Sequence, residues 1–129
     1  MHDEIARHRA AEYLIRDKEA IAVTVTKALY DESPELIDKH GERGRQKTLQ
    51  DMRYNVEHLT PAVDLGDADM FAKYVRWLDD LLRARGVDTK YTRRCLEMVR
   101  DEASTRYDAD VAGAINDIVD AGLGQVTAA

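Results

Sequence analysis

The chain has 129 residues, 44% hydrophobic and 34% charged, a composition that excludes a disordered polypeptide and leaves room for one core. Its net charge of −6 provides no overall positive field for a nucleic-acid backbone or an anionic membrane. Cys95 is the only cysteine, which excludes an internal disulfide and fits a reducing compartment. We therefore expect one cytoplasmic domain over residues 1–129, without nucleic-acid or membrane partners.

The first thirty residues contain no glycine or proline and carry apolar side chains at helical spacing. Residues 1–16 form an N-terminal helical segment and a second segment follows, and the sequence leaves open whether they are one bent helix or two. Ser33 and Pro34 predict the start of a further helix, with Ser33 as its N-cap. Gly41 and Gly44 are expected to interrupt that helix early.

A longer helix is predicted from Gly44 to Leu65, with a bend at Pro61. Three helices follow, over about residues 68–85, 89–105 and 109–122, and the first of them is apolar enough to be the most buried. Gly86 is expected to end that helix in a left-handed conformation, and residues 123–129 are predicted to be a flexible tail. The predicted caps of these three helices are Asp67, then Asp88 or Thr89, and finally Asp108.

These elements amount to six or seven helices of unequal length, and the sequence has no hairpin turn signal or strictly alternating strand pattern. A four-helix bundle requires members of similar length that are joined by short loops. Packing at steep crossing angles, as in globins, suits unequal helices better. The sequence therefore predicts an all-α, globin-like domain.

The segment from Thr48 to Leu59 resembles the chromophore-bearing helix of phycobiliproteins, which carries the element Cys-x-Arg-Asp-x-x-Tyr-Tyr-Leu-Arg. Asp51 and Tyr54 match this element, whereas Asn55 and Glu57 differ from it. The features that match farther along the chain are the Gly66-Asp67 break and the Gly86-Val87 turn.

The chain is also similar, from Ala20 to Val99, to the bilin biosynthesis-associated globins, which are small bacterial relatives of phycobiliproteins. This resemblance implies a non-haem globin fold and the binding of a linear tetrapyrrole, a bilin such as biliverdin or phycocyanobilin. It rests on short elements in a fixed order, namely Ala28-Leu29-Tyr30, Pro34-Glu35-Leu36, Gly41-Glu42-Arg43-Gly44-Arg45, the Asp51–Leu59 helix, Phe71-x-x-Tyr74-Val75-x-Trp77-Leu78 and Arg85-Gly86-Val87.

Covalent attachment of a bilin is not expected. In phycobiliproteins the chromophore is bonded to a cysteine, and the position that aligns with it here is Thr48. Cys95 lies on another predicted helix and does not replace that cysteine. The resemblance therefore implies that any bilin is held noncovalently.

Asp51, Tyr54 and His58 are spaced i, i+3 and i+7, which places them on one face of a helix. The resemblance implies that Asp51 is the bilin carboxylate, and an ionised carboxylate can accept pyrrole N–H groups and stabilise a protonated tetrapyrrole. The alternative is that the three side chains form the solvated side of an amphipathic helix.

A basic cluster precedes this face of the helix. Unpaired backbone N–H groups and the helix dipole favour anions at a helix start, and the propionates of a bilin are such anions. Arg43 and Lys47 are the candidate ligands, and a solvated charged surface is the alternative. The members of the cluster are His40, Arg43, Arg45 and Lys47.

Phe71, Tyr74 and Trp77 form a strip of rings that could wall a flat conjugated ligand. The alternative interpretation of this strip is ordinary core packing. On the opposite side of the same helix we expect solvated arginines or a surface for self-association, formed by Arg76, Arg83 and Arg85.

Other functions have weaker support in the sequence. Haem is not expected, because the helix that would supply the proximal ligand contains no histidine. The sequence has no phosphate loop, nucleophile elbow or zinc-protease motif, so we expect a non-enzymatic protein. We predict a bilin-binding protein with a homodimer and bilin-biosynthesis enzymes as partners; the alternative is a ligand-free dimerisation or signalling module that uses the face of Trp77 and Arg76.

Overall fold

The computed structural model describes residues 2–126 and contains no strand within that range. The predicted all-α class is therefore confirmed. None of the helices there combines the length and apolar character that a bilayer crossing requires. The five helices of this range are α1 (Glu4–Glu32), α2 (Glu35–Leu65), α3 (Ala68–Ala84), α4 (Thr89–Arg106) and α5 (Ala109–Leu123).

The first thirty residues form one continuous helix, which answers the question that the sequence left open. The side chain of Asp3 accepts a hydrogen bond from the backbone N–H of Ala6 and caps its first turn. No glycine or proline breaks the helix before Ser33. Its buried stripe packs along α2 and also reaches α4 and α5, so α1 contributes to the core shared by these helices.

The expected interruption at Gly41 is confirmed, because its φ and ψ are not helical and Glu35–Leu65 consists of two helical segments that meet at this kink. Gly41 has φ 68° and ψ −171°, a conformation that glycine adopts without a steric penalty. Gly44, expected to interrupt the helix, is helical. A Cβ atom at Gly44 would lie 2.4 Å from the Cβ of His40, so this glycine permits the close approach created by the kink.

The predicted N-cap at Ser33 is also wrong. The helix begins at Glu35 after Pro34, and no side chain caps its first turn. The backbone N–H of Ser33 instead donates to the carbonyl of Leu29 at 2.8 Å. Since Ser33 completes the end of α1, the short connection between the two helices leaves it no room to cap α2 as well.

The caps predicted for the last three helices are confirmed. Asp67, Asp88 and Asp108 accept hydrogen bonds from backbone N–H groups in the first turns of α3, α4 and α5. Gly66 and Gly86 follow α2 and α3 with φ values of 65° and 81°, the left-handed conformation that ends many helices. These local signals set the order and length of the helices around the core.

The expectation that α3 is the most buried helix is wrong. Phe71 and Val75 enter the core, but Trp77 is 58% exposed. The helix packs chiefly against α5, so much of its remaining apolar surface faces solvent or a cavity. At the contact with α5, Gly122 lies so close that an added Cβ atom would be 2.7 Å from Cε2 of Phe71.

Part of the predicted tail packs against the body of the domain. Val126 is buried, and its carbonyl oxygen accepts a hydrogen bond from Arg93. The side-chain oxygen of Gln125 accepts two hydrogen bonds from Arg76. Residues 127–129 of that predicted tail lie outside the described residues.

A buried carboxylate joins α3 to the start of α4. Asp79 is only 3% exposed; it accepts a hydrogen bond from Oγ1 of Thr89 at 3.1 Å and lies 3.3 Å from Nε of Arg83.

We expect Asp79→Ala to lower the free energy of unfolding by about 2 kcal/mol, because the buried hydroxyl of Thr89 loses its partner. Asp80→Ala removes an exposed carboxylate that contacts the same arginine and should cost less than about 0.5 kcal/mol. Equal losses for the two variants in urea denaturation would contradict this role for Asp79.

Candidate functional site

A cavity of about 180 Å³, open to solvent on one side, lies where α2, α3 and α4 meet the end of α1. Apolar side chains form most of its walls. This is the kind of surface that binds flat, poorly hydrated groups. The apolar residues that form the walls include Leu29 of α1, Met52 of α2, Leu78 and Leu82 of α3 and Cys95 of α4.

Asp51 provides a carboxylate in the wall formed by α2. Its side chain has no hydrogen bond or ion pair with any residue in the range 2–126. Burial raises the pKa of the Asp51 carboxyl, although the charges of Arg85 and Lys47 act in the opposite direction. The structure thus keeps a partly buried carboxyl group without a protein partner, whose oxygens remain able to accept hydrogen bonds from a ligand.

Two cations, Lys47 and Arg85, line the same cavity. Within the part of the chain that the structure describes, neither side chain makes a hydrogen bond or an ion pair. Arg43 and Arg45, outside the cavity lining, also make no such contact in residues 2–126, whereas most other cations there are engaged, as in the bidentate contact of Arg53 with Glu19. Unpaired cations next to an apolar cavity provide binding positions for the acidic groups of a ligand.

Arg85 is exposed, as expected, and it also lines the cavity, which was not expected. It follows Leu78 and Leu82 at spacings of seven and three residues, so it lies on the helix face that lines the cavity. Gly86 then turns the chain towards α4. The helical spacing from Leu78 could have identified this residue, but only with the cavity already located.

Two polar groups in the cavity wall are tied to neighbouring side chains. Thr48 donates to the carbonyl of Gly44 and contacts the hydroxyl of Tyr30, both at 3.0 Å. Asn55 accepts a hydrogen bond from the hydroxyl of Tyr74 at 2.5 Å. These contacts hold the α2 wall in place next to Asp51.

The α4 wall contributes Thr92 and Cys95. The hydroxyl oxygen of Thr92 is buried and has no hydrogen-bond partner. Burial raises the pKa of the Cys95 thiol to about 12, and the nearby charge of Asp51 contributes to the shift. Cys95 does lie on a different helix from Thr48, as expected, but the two side chains line one cavity.

Most of the predicted ring-bearing residues lie on an outer surface that we call the aromatic face, formed by Tyr54, His58, Tyr74 and Trp77. Phe71 of the predicted strip is instead buried in the core. The rings of His58 and Tyr74 are stacked with centroids 4.1 Å apart, and those of Tyr74 and Trp77 are 6.0 Å apart. Tyr54 is 46% exposed. Burial also raises the pKa of Tyr74, whose bond to Asn55 joins this face to the cavity wall.

The structure thus separates the predicted site residues into two neighbouring groups. Asp51 and Lys47 line the cavity, whereas the four aromatic and histidine side chains form the aromatic face outside it. Arg43 lies one helical turn before Lys47 and is exposed, outside the cavity lining. Sequence reasoning did not identify Arg85 or Thr92 as site residues.

The site favours a particular kind of ligand. Its apolar walls suit a flat ring, its carboxyl group suits N–H donors, and its cations suit acidic side arms. A cavity of roughly 150 Å³ holds a benzene molecule, so an interior of about 180 Å³ accommodates one small ring. The open side leaves the rest of a longer ligand at the rim, next to Lys47 and Arg85.

A family model described as phycobilisome protein matches residues 1–124 of the chain. The matched range includes all five helices and the cavity. It confirms the predicted globin-like fold and, at the level of the family, the resemblance to phycobiliproteins. No curated protein matches the chain.

Proposed function

We propose that this chain, which belongs to the phycobilisome protein family, carries or protects a linear tetrapyrrole that it holds noncovalently in the cavity. The family consists of bilin-binding, globin-like proteins that are not enzymes. Within it, we assign the chain to the bilin biosynthesis-associated kind, whose partners would be the enzymes that make or use the pigment. The sequence similarity from Ala20 to Val99 supports this narrower assignment.

The unpartnered Asp51 carboxyl group between two unpaired cations is the observation that carries the proposal. Pyrrole N–H groups are donors that Asp51 can accept, and the resulting charged hydrogen bonds offset the cost of its burial. Lys47 and Arg85 are placed to bind the two propionates. Arg43, one turn before Lys47, is a further cation for a propionate that extends past the rim.

The aromatic face belongs to the same proposal. A tetrapyrrole is longer than the cavity interior, so part of it must lie outside. The stacked rings of His58 and Tyr74 provide a flat apolar surface for that part, and Trp77 and Tyr54 extend it.

Noncovalent binding is supported by the chemistry of the two candidate attachment positions. Thr48 has a hydroxyl group in place of a thiol, and that hydroxyl is already engaged. A thiol with a pKa of about 12, as at Cys95, is protonated at neutral pH, and the thiolate is the nucleophilic form. A bilin bound here is therefore expected to be released when the protein is denatured.

The proposal is tested by adding biliverdin to the purified protein. We expect a shifted absorption spectrum and co-elution of pigment with protein on sizing chromatography, and an unchanged protein mass after denaturation. An unshifted spectrum without co-elution would refute the proposed function. Pigment that stays attached after denaturation would refute noncovalent binding alone.

Asp51→Asn tests the assignment of the carboxylate. The variant should bind biliverdin more weakly and with a different spectrum, because an amide cannot provide a negative charge to a protonated tetrapyrrole. The empty variant should also be more stable than the wild type at neutral pH. The folded-state pKa of Asp51 is raised, so the wild type loses stability as pH increases from the unfolded through the folded pKa. Unchanged spectrum and affinity would show that Asp51 is not the bilin carboxylate.

The exposure of Trp77 favours one alternative function, a ligand-free dimerisation or signalling module. This alternative predicts a stable dimer that is indifferent to biliverdin and that dissociates in the variant Trp77→Ala. Sizing chromatography of both proteins, with and without biliverdin, separates the two functions. A monomer in both cases would exclude the dimerisation module.

A further inference from the structure

Thr92 differs from three other helical threonines of this protein in the use of its hydroxyl group. Thr48, Thr60 and Thr105 each donate to the backbone carbonyl four residues earlier, at 2.8–3.0 Å. Thr92 is only 4% exposed, and its Oγ1 atom has neither that bond nor any other partner. A buried hydroxyl without a partner is costly, so a reason is needed for its presence at this position.

The position of Thr92 supplies that reason, because it lines the cavity in the wall formed by α4. In helices a threonine side chain divides between two χ1 rotamers. A rotation about χ1 exchanges its hydroxyl and methyl groups without moving the helix. A hydroxyl group both donates and accepts hydrogen bonds, so Thr92 can pair with a carbonyl oxygen or with an N–H group of a ligand.

The rim of the cavity determines which end of a ligand reaches Thr92. Lys47 and Arg85 attract acidic groups to the rim, and the interior holds about one ring. The end that enters must therefore be neutral and small. It must also carry a hydrogen-bonding group, because the hydroxyl of Thr92 has no other partner.

We propose that the Thr92 hydroxyl hydrogen-bonds the terminal lactam ring of the tetrapyrrole, so that the pigment enters by a neutral end and leaves its carboxylates at the rim. This inference rests on the proposed function and adds an orientation to it. A lactam has one carbonyl and one N–H group, and either one satisfies the hydroxyl. Thr92 thereby becomes a positioning and specificity-determining residue of the site.

The test compares biliverdin binding by Thr92→Val, Thr92→Ser and the wild type. Valine keeps the shape of threonine and removes the hydroxyl, so we expect roughly 10-fold weaker binding and an altered absorption maximum. Serine keeps the hydroxyl and should retain affinity within about 3-fold. Empty Thr92→Val should unfold at the same temperature as the wild type or higher, because the hydroxyl it removes has no partner in the protein.

Thr26 provides a matched control. Its hydroxyl is also buried without a partner, but Thr26 does not line the cavity. Thr26→Val should match Thr92→Val in stability and match the wild type in biliverdin affinity and spectrum.

The outcomes separate this inference from the proposed function. If the wild type binds biliverdin and Thr92→Val binds it equally well with the same spectrum, the lactam contact is refuted and the proposed function stands. A lower unfolding temperature of empty Thr92→Val would show instead that the hydroxyl has a structural role, which also overturns the inference. If the wild type does not bind biliverdin, the proposed function itself has failed.

Discussion

Arg85→Glu and Lys47→Glu are each expected to weaken biliverdin binding by roughly 10- to 100-fold, and the double variant to abolish it. A hydrogen bond to a charged group contributes about 1.5–3 kcal/mol, and each reversal also places a carboxylate near the acidic groups of the ligand. The introduced glutamate also raises the free-energy cost of ionising Asp51, because it places a second negative charge nearby. Titration followed by absorption spectroscopy measures the effect.

Arg45→Glu is the control for this experiment. Arg45 lies two residues before Lys47 on α2 and does not line the cavity, and its reversal changes the net charge by the same amount. Affinity should therefore remain within about 2-fold of the wild type. Equal losses for Arg45→Glu and Arg85→Glu would mean that the overall charge governs binding and that the rim has no specific role. Thermal unfolding of each empty variant shows whether the fold is retained.

Gly122→Val is expected to lower the free energy of unfolding by about 3 kcal/mol, near the upper end of the range for overpacked cores. A Cβ atom at this position would lie 2.7 Å from Cε2 of Phe71 and 2.8 Å from Cγ2 of Val75. Both neighbours are almost completely buried, so neither can move aside without disturbing the core. Urea denaturation measures the loss.

Gly124→Ala is the matched control at the end of the same helix. Gly124 has a helical φ of −63°, and the nearest atom to an added Cβ is a carbonyl oxygen at 3.4 Å. The substitution should therefore be neutral or stabilising by up to about 0.5 kcal/mol, because it reduces the entropy of the unfolded chain. A loss at Gly122 no larger than at Gly124 would show that α3 and α5 adapt to the added volume.

The features that the sequence predicted correctly are those that depend on neighbouring residues. The capping aspartates Asp67 and Asp108 were identified because each side chain accepts a hydrogen bond from a backbone N–H only three residues later. Ser33 was wrongly predicted as a cap because its role depends on the helix that precedes it. Gly44 was wrongly predicted to break a helix. A glycine is needed at this position because the kink at Gly41 brings the side chain of His40 close to it.

The candidate site was harder to predict because a cavity is a property of several helices together. Asp51 was identified from the resemblance to a motif on one helix, and Lys47 from the basic cluster at the start of the same helix. Arg85 and Thr92 belong to the other two walls of the cavity, and no local pattern distinguishes them from surface or core residues. Trp77 shows the same limit, since helical spacing cannot tell an aromatic wall from an exposed face.

The position of Cys95 in the cavity wall allows the rate at which the cavity becomes accessible to be measured by thiol labelling. Cys95 lines the cavity and is 8% exposed, so the rate at which a small thiol reagent labels it reports how often the cavity wall becomes accessible to that reagent. Because the chain has a single cysteine, the signal comes from one place. A ligand that binds the closed form must slow the labelling in proportion to its occupancy, which makes an affinity measurable even for a colourless compound.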